Sequence, residues 1–236
     1  MASSLRGRGI LVTRPREQAA GLARLIEEAG GRAHLFPAIE IQDLPPPEAL
    51  SRLREFDLAV FISPTAVSRV FRQLKAWPGL QAAAVGAGTK RELERHGVAK
   101  VISPASGADS EALLEVMQQV AGTRVVVFRG EGGRELLGET LAARGARVEY
   151  AACYRRVRPA PAAQTWSRLD AVTVSSAQGL ANLFEMLDPV LLQATPLFVP
   201  HARVADAARA RSVRSIVVAG PSDEEMLGRL VAYFHP

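Results

Sequence analysis

The residues best placed for chemistry sit where short apolar runs give way to helical patterns. A run ending at Arg129 leads into Gly130-Glu131-Gly132-Gly133-Arg134, a glycine-rich junction whose backbone N–H groups suit an anion. The same glycines equally suit a turn chosen for backbone geometry alone. Arg14 and Arg129 end matching runs, each either a cation for a ligand or a solvated strand-end arginine. Ser63 and Ser176 occupy matching positions before helical patterns, where a hydroxyl caps the helix or hands a hydrogen bond to a carboxylate. Thr89, after Gly86-Ala87-Gly88, carries the same ambiguity. Tyr154 follows Cys153 at the end of a strand pattern, as a phenol for a cleft or as a half-buried structural group.

Several chemistries lack their residues. No Gly-x-x-x-x-Gly-Lys-Ser/Thr is present for a nucleoside triphosphate. Arg91 replaces the third glycine of a dinucleotide fingerprint and Ser106 stands where its acid belongs, which disfavours NAD. Neither serine lies in a Gly-x-Ser-x-Gly elbow, and His34, His96, His201 and His235 are scattered without triad or metal-ligand spacing. No metal site is expected.

The elements that must hold these residues alternate between β-branched runs and i, i+3, i+4, i+7 helical patterns, which predicts a parallel α/β sheet. Ten strands are expected: Ile10–Arg14, Arg32–Phe36, Leu58–Ser63, Ala82–Gly86, Lys100–Ser103, Arg124–Arg129, Arg147–Cys153, Ala171–Ser175, Leu197–Pro200 and Ser215–Ala219. They suggest two five-stranded sheets. An internal repeat divides them. Ile-Leu-Val-Thr-Arg ending at Arg14 matches Val-Val-Val-Phe-Arg ending at Arg129, and the same offset pairs Leu22 with Leu137, Gly30 with Gly145 and Arg32 with Arg147. Asp57 then matches Asp170, Ser63 matches Ser176, Val85 matches Val199 and Asp109 matches Asp223. The order is the front of copy one, the back of copy two, the front of copy two and the back of copy one. One domain is therefore inserted in the other, with domain 1 at 1–38 and 159–236 and domain 2 at 44–151. Prolines 37, 45, 46, 47, 159 and 161 mark the two crossings. A cleft between the domains, lined by the carboxyl ends of strands, is the expected ligand site.

The 236 residues are 48% hydrophobic and 22% charged, enough for a real core. Lys and Arg number 29 against 24 Asp and Glu, formally +5, and the isoelectric point near 10.0 asks for an acidic partner: nucleic acid, phospholipid or a polyanionic small molecule. Aromatics at 6% and dispersed arginines argue against nucleic acid. Cys153 is the only cysteine, which excludes an internal disulfide and fits a reducing compartment. No apolar run reaches signal or membrane-span length, so a soluble cytoplasmic protein is expected.

Taken in order, Leu11-Val12-Thr13-Arg14-Pro15 with Gln18-Ala19, Phe36-Pro37-Ala38-Ile39, Phe61-Ile62-Ser63-Pro64-Thr65-Ala66-Val67, Ala84-Val85-Gly86 with Thr89, Arg129-Gly130 with Gly133-Arg134, Gly145-Ala146-x-Val148 and Tyr154-Arg155-Arg156 resemble the uroporphyrinogen-III synthase family. The resemblance spans the chain. It implies two similar flavodoxin-like domains with five-stranded parallel sheets, one inserted in the other and joined by a two-stranded linker. It implies cyclisation of hydroxymethylbilane to uroporphyrinogen III, with loss of water and inversion of the last pyrrole ring, without a cofactor. The eight carboxylates of that bilane give the basic charge a partner. By the same resemblance Tyr154 assists departure of the hydroxyl, and substrate is bound by Arg14, Ser63, Thr65, Ala66, Gly86, Thr89, Arg129, Gly130, Gly133, Arg134 and Ser176. The chain departs from the family at Pro200-His201-Ala202-Arg203, where a hydroxyl is common and where Arg203 is expected to bind a carboxylate instead. A monomer, with possible handover of substrate from hydroxymethylbilane synthase, completes the expectation. The competing readings are a non-catalytic two-domain sensor for an anionic metabolite and a flavin-binding protein of flavodoxin-like type.

Overall fold

A computed structural model of the chain describes residues 4–107, 109–133, 135–160, 166 and 168–235. In chain order the elements are β1 (Gly9–Val12), α1 (Arg16–Glu28), β2 (Arg32–Leu35), β3 (Glu40–Asp43), a 3-10 segment (Glu48–Glu55), β4 (Leu58–Phe61), α2 (Pro64–Phe71), β5 (Gln81–Ala84) and α3 (Ala87–Arg95). They continue with β6 (Val101–Ile102), α4 (Ser110–Val116), β7 (Arg124–Gly130), α5 (Leu136–Ala143), β8 (Arg147–Val157), β9 (Ala171–Thr173), α6 (Ala177–Met186), α7 (Pro189–Ala194), β10 (Leu197–Val199), α8 (Ala202–Arg209), β11 (Ile216–Val218) and α9 (Asp223–Phe234). No helix among the described residues is long and apolar enough to cross a membrane.

Two compact units result, Met1–Glu40 with Val157–Pro236 (unit 1) and Ile41–Arg156 (unit 2). The sheet of unit 1 has the order β11-β10-β9-β1-β2, every pair parallel. That of unit 2 has the order β3-β8-β7-β4-β5-β6, parallel from β8 to β6. The repeat maps β7, β8, β4, β5 and β6 onto β1, β2, β9, β10 and β11, and the two sheets then have the same strand order. Both faces of each sheet are covered, which is why the central strands read as unbroken apolar runs. In unit 1, Leu11 faces one core while Ile10 and Val12 face the other. In unit 2, Ala59 and Phe61 face one core while Leu58 and Val60 face the other. Burying each such leucine, isoleucine or phenylalanine contributes about 1.5–3 kcal/mol.

All ten expected strands are present, most of them ending earlier than the patterns suggest, so Arg14, Ser63 and Gly86 lie in the turns that follow. The count of two five-stranded sheets is corrected by β3, which adds a sixth strand to unit 2. Only one of its four residues, Ile41, is apolar, so it gave no periodic signal. The outward crossing runs as β3 beside the end of β8, the two-stranded linker that the resemblance implies. The Leu44 N–H donates to the Cys153 carbonyl and Arg155 donates to Gln42, so β3 and the extended end of β8 run in opposite directions. Pro161 of the return crossing lies outside the described residues.

Candidate active site

Ser63 opens α2 with an extended backbone, Pro64 occupies the first helical position, and the Ser63 Oγ accepts the Ala66 N–H at 3.1 Å. Ser176 repeats this at α6, accepting from the Gly179 N–H at 3.0 Å. Both serines are caps. Ser63 has in addition the Tyr154 Oη at 3.0 Å, and the Arg156 Nη2 donates to that phenol oxygen at 3.2 Å. At the repeat offset that pairs Arg14 with Arg129, the residue matching Tyr154 is Ile39, whose side chain lies beside Gly179 at the Ser176 cap. The phenol is thus particular to unit 2.

A β-bulge places it there. Along β7 and β8, Phe128 pairs with Ala151 and Arg129 with Ala152, but Gly130 pairs with Tyr154, leaving Cys153 as an extra residue. Strict alternation would put Tyr154 on the face opposite Ala151; the bulge returns it to the core that Ala151, Cys153 and Phe61 share. Gly130 makes the room, because a Cβ there would lie 2.8 Å from the tyrosine ring. Tyr154 is 1% exposed, whereas Ser63, to which its phenol is hydrogen-bonded, is half-buried. Burial also pushes the Cys153 thiol up to about 12, against a small lowering by the Arg129 backbone.

The glycine-rich turn closes on its own arginine. Arg129 is 5% exposed, not a solvated strand end; its Nη2 donates to the Gly132 carbonyl, its Nη1 lies 3.8 Å from Glu135, and its guanidinium sits 4.6 Å from the centre of the Tyr150 ring. Gly132 and Gly133 take positive φ, and a Cβ at Gly133 would stand 2.7 Å from the guanidinium. Tyr150 ties the turn to α5 by donating to the Glu135 carbonyl and accepting from the Gly138 N–H, both at 3.0 Å. Arg134 lies outside the described residues.

The other expected residues fall into two groups. Gly86 caps α3 with extended backbone and Thr89 is buried in its first turn, while Thr65 and Ala66 are buried in the first turn of α2. Gly88 stands beside Pro64, so the amino ends of α2 and α3 are neighbours on the rim of unit 2. In unit 1, Arg14 is ion-paired with Asp223 at the start of α9, a carboxylate for which Gly21 leaves space. Arg203 is exposed in the first turn of α8. Two features escaped the sequence reading. Arg156 falls two residues from Tyr154 and so shares its face of the strand, but which face that is depends on the bulge. Arg69, 4% exposed, is ion-paired with Asp43, and Arg72 lies 3.6 Å from the same carboxylate, fastening α2 to β3. The i, i+3 arginines were visible, but their acid sat on the unrecognised strand.

Fold and site together define a parallel α/β protein of two related units, with hydroxyl-capped helices and, in one unit, a buried phenol hydrogen-bonded to the cap. The family model described as uroporphyrinogen-III synthase HemD matches residues 20–228. The uroporphyrinogen-III synthase of Escherichia coli K12 is 34% identical over 242 residues, covering 93% of this chain and 98% of that protein. Among solved structures, the uroporphyrinogen-III synthetase of Helicobacter pylori 26695 aligns with a TM-score of 0.66 at 14% identity over 96% of this chain and 99% of that one. A mutant uroporphyrinogen III synthase of Thermus thermophilus aligns with a TM-score of 0.62 at 20% identity over 96% and 100%. These two likenesses are of fold. The chain belongs to the uroporphyrinogen-III synthase family and is an enzyme, a cyclising hydro-lyase.

Proposed function

We propose that the chain cyclises hydroxymethylbilane to uroporphyrinogen III, with the Arg156–Tyr154–Ser63 line supplying the proton that the departing hydroxyl needs. The observation that carries this is the 3.0 Å contact between the Tyr154 phenol and Ser63, built by a bulge in one unit and absent from its twin. Arg156 donates to the phenol oxygen, and in this reading the phenol O–H is the donor to Ser63. The Ser63 oxygen receives that proton and the Ala66 N–H, so its own hydroxyl hydrogen points outward to the rim. The carbon–oxygen bond of the hydroxymethyl group breaks as that hydrogen is transferred, water leaves, and the pyrrole nitrogen lone pair stabilises the azafulvene cation. The substituted carbon of the last ring attacks, and the spiro intermediate fragments and recloses with that ring reversed. The proton lost at the end restores the donor line. General-acid help of this kind is typically about 10²–10⁴-fold, and the larger task is holding the chain folded.

The carboxylates are read as bound at helix starts, those of Thr65, Ala66, Gly86 and Thr89 in unit 2 and those of Ser176 and Arg203 in unit 1, while the Ser63 hydroxyl is kept for the departing group. Arg129, already engaged by the glycine turn, serves in this reading to hold the backbone from Gly130 to Gly133, and Arg14, engaged by Asp223, to hold the turn that follows β1 in unit 1. Charge-assisted hydrogen bonds contribute about 1.5–3 kcal/mol each, so several can share the work. The reading takes 1–38 with 159–236 and 44–151 as two flavodoxin-like domains, supported by the strand order of each sheet. It includes a cytoplasmic monomer that needs no cofactor and receives its labile substrate from hydroxymethylbilane synthase. Freshly generated hydroxymethylbilane, incubated with the protein and resolved into isomers, is expected to give isomer III; isomer I alone would refute the proposal.

A further inference from the structure

A cavity of about 580 Å³ lies in unit 1 at the amino-terminal edge of its sheet, the end opposite the turn that carries Arg14. Its size is that of a small-molecule site. Arg6, Arg8, Arg32 and Arg168 line it, against one acid, Asp170, which pairs with Arg8 at 2.8 Å and with Arg168 at 3.0 Å. Arg6 and Arg32 have no acidic partner among the described residues. Trp166 forms part of the wall; it is 7% exposed, and its indole N–H is buried with no acceptor among the described residues.

The twin unit serves as an internal control. The clasp around the acid is common to both: Asp170 and Gly9 exchange backbone and carboxylate hydrogen bonds as Asp57 and Arg124 do. The cations are handled differently. In unit 2, Arg147, the counterpart of Arg32, likewise has no acidic partner among the described residues, but Arg124 is paired with Glu55 at 3.0 Å and Arg52 with Glu149 at 3.1 Å, and these two acids stand at the repeat positions of Arg168 and His34. The surplus of positive charge in unit 1 is therefore not a requirement of the fold. Leu53, at the repeat position of Trp166, is likewise an ordinary core residue.

We propose that this cavity binds a small polyanion bearing phosphate or carboxylate groups, held by Arg6 and Arg32 against the Trp166 wall, at a site separate from the catalytic rim. The chain has two tryptophans, so Trp77→Phe leaves Trp166 as the only indole reporter. Titration with pyrophosphate and, separately, with citrate at constant ionic strength is expected to give a saturable fluorescence change at submillimolar concentration with at least one of them. Response to pyrophosphate alone assigns phosphate chemistry, and response to citrate alone assigns carboxylate chemistry. The double variant Arg6→Ala/Arg32→Ala is expected to weaken binding at least tenfold while leaving the rate and isomer ratio of cyclisation unchanged. Calorimetric titration of the unaltered chain gives the same readout if Trp77→Phe does not fold. No saturable response to either anion, or an affinity indifferent to the double variant, would overturn the proposal. A matching fall in cyclisation would overturn its separateness from the catalytic rim.

Discussion

At the scale of single residues, the decisive contact is between two oxygens. If the phenol feeds a proton through Ser63, then Tyr154→Phe removes the donor but keeps the ring in its slot above Gly130. Its kcat is expected to fall about 10²-fold with the thermal midpoint within a few degrees of the parent. An unchanged kcat would leave Tyr154 as packing only. Ser63→Ala loses the relay and also the cap, so it is expected to lower kcat similarly and, in a urea titration, to cost about 1 kcal/mol of stability. Ser176→Ala should show the stability loss alone. Cys153 offers a third check. Its thiol, raised to about 12 by burial, is the only one in the chain, so a disulfide-exchange reagent at about pH 8 is expected to label it only after denaturation. Prompt labelling of the native protein would contradict the packing described. Ser63, Ser176 and Tyr154 were legible in the sequence because they border periodic runs. The burial of the phenol and the part played by Arg156 were not, since a bulge is an irregularity that a period-two reading steps over. Arg129 was legible by position alone: its place at a strand end was evident, but the sequence left open whether the glycines after it cradle an anion or serve backbone geometry, and the fold-back onto Gly132 rests on a backbone conformation that sequence does not display.

Among the elements, the repeat is a physical device as well as a pattern. Gly30 and Gly145 both end helices with positive φ, and each is followed by a residue whose N–H reaches back to Ile26 or Leu141. Gly145→Ala is expected to cost about 1 kcal/mol in denaturant unfolding, because an L residue is strained at φ 90°. The acid that opens the third strand of each copy is the second device. Burial works against the charge of Asp170, but the Gly9 N–H, Arg8 and Arg168 outweigh it and hold the carboxyl below its ordinary range. A carboxyl depressed in the folded state stabilises the fold above its unfolded value of about 3.9 and loses that contribution as pH falls through the folded value. Asp170→Asn is therefore expected to cost about 1 kcal/mol at pH 7, with the gap to the parent closing below about pH 4. A gap that does not narrow as the pH falls below about 4 would assign the loss to geometry. Strands and helices were legible here because burial on both sheet faces forces apolar runs and i, i+3, i+4 stripes. The strand β3 was not, because one edge is solvated and three of its four residues are polar.

On the scale of the whole molecule, the permuted order of the repeat has a consequence for folding. Unit 2 is one continuous segment with its own cores on both faces of its sheet, whereas unit 1 is assembled from the two ends of the chain. The insertion passes through a pair of opposed strands, with Leu44 bonded to Cys153 and Gln42 to Arg155, and the same register carries Glu40 onto Val157. The points where the chain leaves and re-enters unit 1 are thus neighbours, a hairpin's width apart. Unit 1 can then be closed by joining Glu40 to Val157 through a short Asn-Gly turn with the whole of unit 2 deleted, and the segment 41–156 can be made alone. Both products are expected to unfold in urea as single cooperative transitions with near-ultraviolet dichroism, because each retains its central parallel strands and both covered faces. Neither is expected to cyclise the bilane, since the phenol line belongs to one and Ser176 with Arg203 to the other. A fragment that is expanded or non-cooperative while its partner folds would show that the two copies, alike in strand order, no longer carry independent stability.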